Sequence, residues 1–141
     1  MNPVVHFEMP YEDKKRMADF YNKAFGWTTN MLGAEMGDYV VVMTTEADPK
    51  TGFPTEPGRI NGGFFKQPKN KAFPRPIVGV EDIKAAIQRV KDSGGKVLGG
   101  MTGEYDDIPG VGYYSSFIDT EGNQVGMIQP TSGPGKAVGM Q

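Results

Sequence analysis

The chemistry open to this chain rests on very few groups. Its 141 residues include one histidine, His6, and no cysteine. Disulfides, thiol nucleophiles and cysteine-bound zinc are therefore excluded. Glu8 stands two residues after His6. In an extended segment that spacing puts both side chains on one face, opposite Val5, Phe7 and Met9. An imidazole and a carboxylate side by side could move a proton, the carboxylate as a general base raised in pKa by burial. Glu8 could equally be the partner of a cation, and the cation is Arg75, 69 residues after His6. A guanidinium neither loses its proton nor coordinates a metal. It can hold a carboxylate or an enolate through two parallel hydrogen bonds.

The spacing of 69 recurs in the elements that must position these groups. Met17, Phe20, Tyr21, Ala24 and Phe25 form one apolar stripe at helical spacing, with Asp13 as N-cap and Gly26 as the stop. Ile83, Ala86, Ile87 and Val90 form a second stripe after Asp82, ended by Gly94-Gly95. A shift of 69 carries Glu12-Asp13 onto Glu81-Asp82 and Gly26 onto Gly95. Further on, a shift of 75 carries Gly37-Asp38-Tyr39 onto Gly112-Tyr113-Tyr114 and Thr45-Glu46 onto Thr120-Glu121. A loop insertion between the second and third strands accounts for the change.

Extended segments precede each helix (Val4 to Met9, Pro76 to Val80). Others follow it (Trp27 to Leu32, Lys96 to Met101), and each half closes on one more (Arg59 to Lys66, Asn123 to Gln129). The chain therefore reads as a β-α-β-β-β unit repeated. The fold class is α+β: one domain over residues 1–130, with modules at about 3–67 and 73–130. Glu46 to Gly58 is a loop, and residues 131–141 form a flexible tail.

Fifteen Lys and Arg against seventeen Asp and Glu give a net charge of -2, without the basic stripe that nucleic acid requires. Clusters such as Lys14-Lys15-Arg16 read as a solvated helix face. No apolar run reaches the ~20 residues that cross a bilayer, and the segment Met1 to His6 has no signal-peptide pattern. Neither a nucleic-acid partner nor a membrane is expected, and the cytoplasm is the expected location.

Three stretches carry a family likeness: His6-Phe7-Glu8-Met9-Pro10 with Asp19-Phe20-Tyr21 and Phe25-Gly26-Trp27; Val80-Glu81-Asp82 leading to Gly94-Gly95-Lys96-Val97; and Asp119-Thr120-Glu121-Gly122-Asn123. In this order they resemble the glyoxalase/bleomycin-resistance/dioxygenase group, the vicinal oxygen chelate superfamily, in its single-domain lactoylglutathione-lyase-related form. The resemblance implies two modules whose mixed sheets curl around a cleft, with helices on the outer face, and a homodimer. It also implies a divalent metal held by the first and last strands of each module, acting as a Lewis acid.

Carried over residue by residue, that metal site mostly fails. His6 fits. Arg75 stands at the matching first-strand position, Gly126 at the last-strand carboxylate, and Asn61 and Gly63 are the fourth-strand candidates. Glu8 could help His6 hold an ion only weakly. No metal and no cofactor is expected. The expected function is a metal-independent protein that binds a small organic ligand in the cleft, through His6, Glu8, Asn61, Phe65, Arg75 and Tyr114. The alternative is a lyase or isomerase of the glyoxalase type, in which His6 or Glu8 moves a proton beside a carbonyl and Arg75 stabilises the oxyanion. Trp27, Tyr39, Phe65, Tyr113 and Tyr114 read mostly as packing, with Tyr39 and Tyr114 in matching places.

Overall fold

In the computed structural model, which describes residues 1–131, helix α1 (Lys14–Phe25) starts where the Asp13 side chain accepts the Arg16 amide. It ends at Gly26, whose φ of 76° lies in the left-handed region that glycine enters without steric cost. Helix α2 (Ile83–Asp92) begins the same way, with Asp82 accepting from the Lys84 and Ala85 amides. Both N-caps stand where the sequence places them. Neither helix is long and apolar enough to cross a membrane among the described residues.

Nine strands make one open mixed sheet: β1 (Val4–Tyr11), β2 (Thr28–Met31), β3 (Val40–Met43), β4 (Asn61–Lys66), β5 (Arg75–Gly79), β6 (Lys96–Val97), β7 (Asp106–Ile108), β8 (Gly112–Ile118) and β9 (Gln124–Pro130). Their order is β2-β3-β4-β1-β5-β9-β8-β6, with β7 also on β8. In each half the first strand runs parallel to the last, β1 with β4 and β5 with β9. The halves join where β1 meets β5 antiparallel.

The ladders reproduce both offsets of the repeat. Glu8 lies across from Gly63, and Ile77 across from Gly126, so the matched pair Glu8 and Ile77 is 69 apart. Val41 lies across from Gly63, and Ser116 across from Gly126, so that pair is 75 apart. The fold is α+β as expected; module one reads βαβββ, and module two has the same plan with one additional short strand, β7.

Apolar residues of alternate parity fill the space under each helix. Beneath α1, Tyr11, Val40, Val42 and Phe64 are buried together with Phe7, Met9, Met17, Tyr21 and Trp27 packed on them. Beneath α2, Val80, Ile83, Ala86, Ile87 and Met127 do the same. A smaller cluster, Ile77 and Ile128 with Val5, Val111 and Tyr114, lies on the opposite face of the sheet.

Four local expectations are corrected. Val5 does not join Phe7 and Met9 under α1. A register shift between Val4 and His6 breaks the alternation and turns Val5 toward Ile77, as a bulge does. The α1 stripe is wider than the face it buries: Phe20 is 58% exposed and Phe25 67%. Their rings instead lean on Tyr21, at 5.0 and 6.2 Å between centroids.

The second strand of module two is only Lys96–Val97, and the chain then turns back to form β7, which the sequence reading missed. Asp106 closes that turn by accepting the Met101 and Thr102 amides, a local tie with no periodic signature. Finally, β4 starts at Asn61, two residues later than expected. The tail beyond residue 131 lies outside the described residues.

Candidate functional site

The face of the sheet away from the helices carries a cluster of polar side chains centred on the seam between β1 and β5. Strand parity puts His6 and Glu8 on this face. The ladders put Asn61 beside His6, and Gly63 and Arg75 on either side of Glu8. His6 is 5% exposed and Asn61 fully buried. Glu8 and Arg75 form an ion pair, Nε donating to Oε1 at 3.1 Å, with side chains only 12% and 14% exposed. Phe65, two residues along β4 from Gly63, supports the guanidinium from below, its ring centroid 4.3 Å from Cζ. That contact is a cation–π arrangement and holds the fork in one plane.

Two tyrosines cover the rest of the face. Tyr39 is hydrogen-bonded through its hydroxyl to His6 Nε2 at 2.9 Å. A Cβ on Gly63 would collide with the Tyr39 hydroxyl, and one on Gly126 would meet Ile77 Cδ1 and lie 3.0 Å from the Tyr114 hydroxyl. Each tyrosine thus lies over the bare glycine of its own module's last strand. The repeat is physical here, since a side chain at either glycine and a ring above it exclude one another.

Burial sets the charge states. It lowers His6 to about 4, so the imidazole is neutral at pH 7. Tyr39 and Tyr114 are both pushed up, first by burial and then by the Glu8 carboxylate, and remain phenols. The Arg75 guanidinium acts against that rise in both. Glu8 and Arg75 are thus the charged members of a cluster whose other groups are neutral.

Three buried polar atoms of this cluster lack a hydrogen-bond partner among the described residues: His6 Nδ1, Asn61 Nδ2 and Tyr114 Oη. Asn61 spends its other end on structure, accepting the Thr44 and Thr45 amides at 2.7 and 3.0 Å. A buried polar atom without a partner costs about 1–3 kcal/mol. Such atoms gathered on one face point to a place that water or a ligand completes.

All six residues singled out in the sequence lie on this face. Glu8 and Phe65 both contact Arg75, Asn61 is the ladder neighbour of His6, and Tyr114 approaches from the second module. Tyr39 was read as packing, yet it is the direct partner of His6. The signal for it was its match with Tyr114 in the repeat. Asp106, whose charge also reaches Tyr114, comes from the unforeseen β7 and had no signal.

Residues 4–127 match the family described as the Glyoxalase/Bleomycin resistance protein/Dioxygenase superfamily. A glyoxylase-like domain-containing protein of Didymella fabae is 32% identical over 116 residues, 82% of this chain and 84% of that one. Among solved structures, Streptomyces coelicolor methylmalonyl-CoA epimerase in complex with 2-nitronate-propionyl-CoA has a TM-score of 0.62 at 14% identity, over 95% of this chain and 98% of its own. A hypothetical protein of Bacillus halodurans C-125 has a TM-score of 0.61 at 13% identity, over 93% and 96%. These two structures share the fold with this chain.

Proposed function

Starting from a chain that belongs to the glyoxalase/bleomycin resistance protein/dioxygenase superfamily, we propose that it binds a small organic ligand in the cleft without a metal, the ligand's anionic or carbonyl oxygens meeting Arg75. The observation that carries this reading is the state of the guanidinium. Nε is committed to Glu8 and the plane is backed by Phe65, while the guanidinium lies close enough to Tyr114 to act on its hydroxyl. A guanidinium fixed in this way carries the N–H donors that grip a carboxylate or enolate. The orphaned atoms of His6, Asn61 and Tyr114 add further polar contacts on the same face. The S. coelicolor neighbour holds a small-molecule ligand, which supports the cleft as the place for one.

The metal implied by the resemblance does not suit these residues. Its positions hold His6, already bonded through Nε2 to Tyr39; a cation, Arg75; and, in the last strands, Gly126 and either Asn61 or Gly63. Among the described residues no three of His, Asp and Glu come together. A divalent ion needs more donors than this and no guanidinium at its centre.

The enzyme reading ranks second. His6 Nδ1 is an unpartnered ring nitrogen on this face, which favours proton transfer beside a carbonyl. An imidazole held at about 4 is a weak base at neutral pH, however. The homodimer and the cytoplasmic location remain part of the proposal, the first testable by sedimentation.

Calorimetric titration with pyruvate, lactate and malonate tests the binding reading. One of these anions should bind the native protein and lose at least tenfold in affinity in Arg75→Met. Equal binding by the variant would remove Arg75 from the site. Hemithioacetal turnover that disappears in Glu8→Gln would turn the assignment to the enzyme.

A further inference from the structure

The repeat supplies an internal control for the helix-facing side of the molecule. Under α1 the space between helix and sheet is filled by Met9, Tyr11, Met17 and Tyr21, and the Tyr21 ring stacks on Trp27 at 4.7 Å with 10° between planes. A shift of 69 carries these four onto Val78, Val80, Ala86 and Val90. Every one of the four is smaller in module two. All four line a pocket of about 400 Å³ under α2, whose floor includes Phe117 and Met127. Module one has a groove of about 560 Å³ at the matching end of the sheet, lined by Met9, Trp27, Thr44 and Thr45 among others, but no α1 residue lines it. The side chains missing from module two are thus what would close the pocket beneath its helix.

We infer that this pocket is a second ligand site, on the outer face of module two, which takes a small aromatic ring bearing an anionic group. The shape argument is the repeat itself: the matching volume in module one holds a phenol ring. The walls are apolar, as such sites are. The charge argument is Arg89, which lines the pocket in the place of Phe20 and forms no ion pair among the described residues. Asp119, also on the lining, is tied down by the Glu121 and Asn123 amides and by the Asn123 side chain. The local cation is therefore free to meet a carboxylate, while the local anion is already engaged. An aryl carboxylate fits both features. This site does not depend on the reading of the cleft.

Benzoate titrated into protein labelled with ¹³C at the methionine methyls provides the test. The Met127 methyl resonance should shift saturably at millimolar benzoate in the native protein and equally in the paired Glu8→Leu/Arg75→Met variant, whose changes lie on the opposite face of the sheet. Val90→Tyr and Ala86→Met, which restore the bulk of module one, should weaken binding at least tenfold. If Ala86→Met, at a buried core position, does not fold, Val90→Phe at the half-buried position decides. Benzyl alcohol should bind several-fold more weakly than benzoate, with the difference lost in Arg89→Gln. No saturable shift at Met127, or undiminished affinity in whichever of the bulk-restoring variants folds, overturns the site. Equal affinity for the alcohol and the acid overturns the role of Arg89.

Discussion

Glu8 and Arg75 sit directly across from one another where the two modules meet, Nε to Oε1 at 3.1 Å, as ladder partners of β1 and β5. The pair therefore joins the halves of the repeat on the face of the sheet away from the helices. Two charges this buried are costly to separate, and removal of one leaves the other unpaired in a poorly solvated place. Arg75→Met alone should lose about 3 kcal/mol of stability, while Glu8→Leu with Arg75→Met should recover most of it. Urea denaturation at pH 7 measures both. A single variant as stable as the native protein would show that the pair does not hold the seam.

The glycine–tyrosine contacts predict a specific rescue. Gly63→Ala places a methyl against the Tyr39 hydroxyl and should cost about 2 kcal/mol as overpacking. Tyr39→Phe alone gives up the bond to His6, worth about 1 kcal/mol. Combined with Gly63→Ala it still leaves ring carbons Cζ and Cε2 against the new methyl, so it should recover little. Tyr39→Ala with Gly63→Ala, in contrast, should be more stable than the sum of the two single losses. Strict additivity of that second pair in thermal melts would contradict the contact.

His6 makes stability depend on pH with a defined sign. Its folded value of about 4 lies below the 6.5 of a free imidazole. Between these values the unfolded chain binds the proton that the folded chain excludes. Stability is then fully present above about 6.5 and declines as pH falls toward 4, by about 3 kcal/mol at most. His6→Gln should flatten that portion of the curve relative to the native protein. An unchanged slope in the variant would assign the acid sensitivity to carboxylates instead.

If the cleft works without a metal, protein purified without chelator should carry far less than one equivalent of Zn, Ni, Mn or Fe by plasma mass spectrometry. Added metal should leave the melting temperature unmoved, whereas a bound ion at a hundred times its Kd would add about 2.7 kcal/mol. A stoichiometric ion, lost together with the imidazole in His6→Gln, would refute this.

Much of the architecture was legible in the chain because it depends on short-range rules. Asp13, Gly26 and Asp82 act through the geometry of one helical turn. The repeat appears as offsets of 69 and 75, which the strand registers reproduce. Parity placed His6 and Glu8 together because alternation along a strand is a property of the backbone. It failed at Val5, where a register shift inserts a residue that no local pattern announces. The helical stripe overstated the buried face at Phe20 and Phe25, since periodicity shows which residues share a side and not how wide a partner covers it.

The sequence alone determined the two-module plan, the shared face of His6 and Glu8, and the presence of a guanidinium and two glycines at positions where donors would stand. Only the tertiary structure decided that Arg75 pairs with Glu8 over Phe65, that Tyr39 holds His6, and that each tyrosine lies over its own module's glycine. Those contacts join residues from different strands and, for Arg75 and Glu8, 67 positions apart. Their distances depend on how the sheet curls, and no rule of local spacing carries that information.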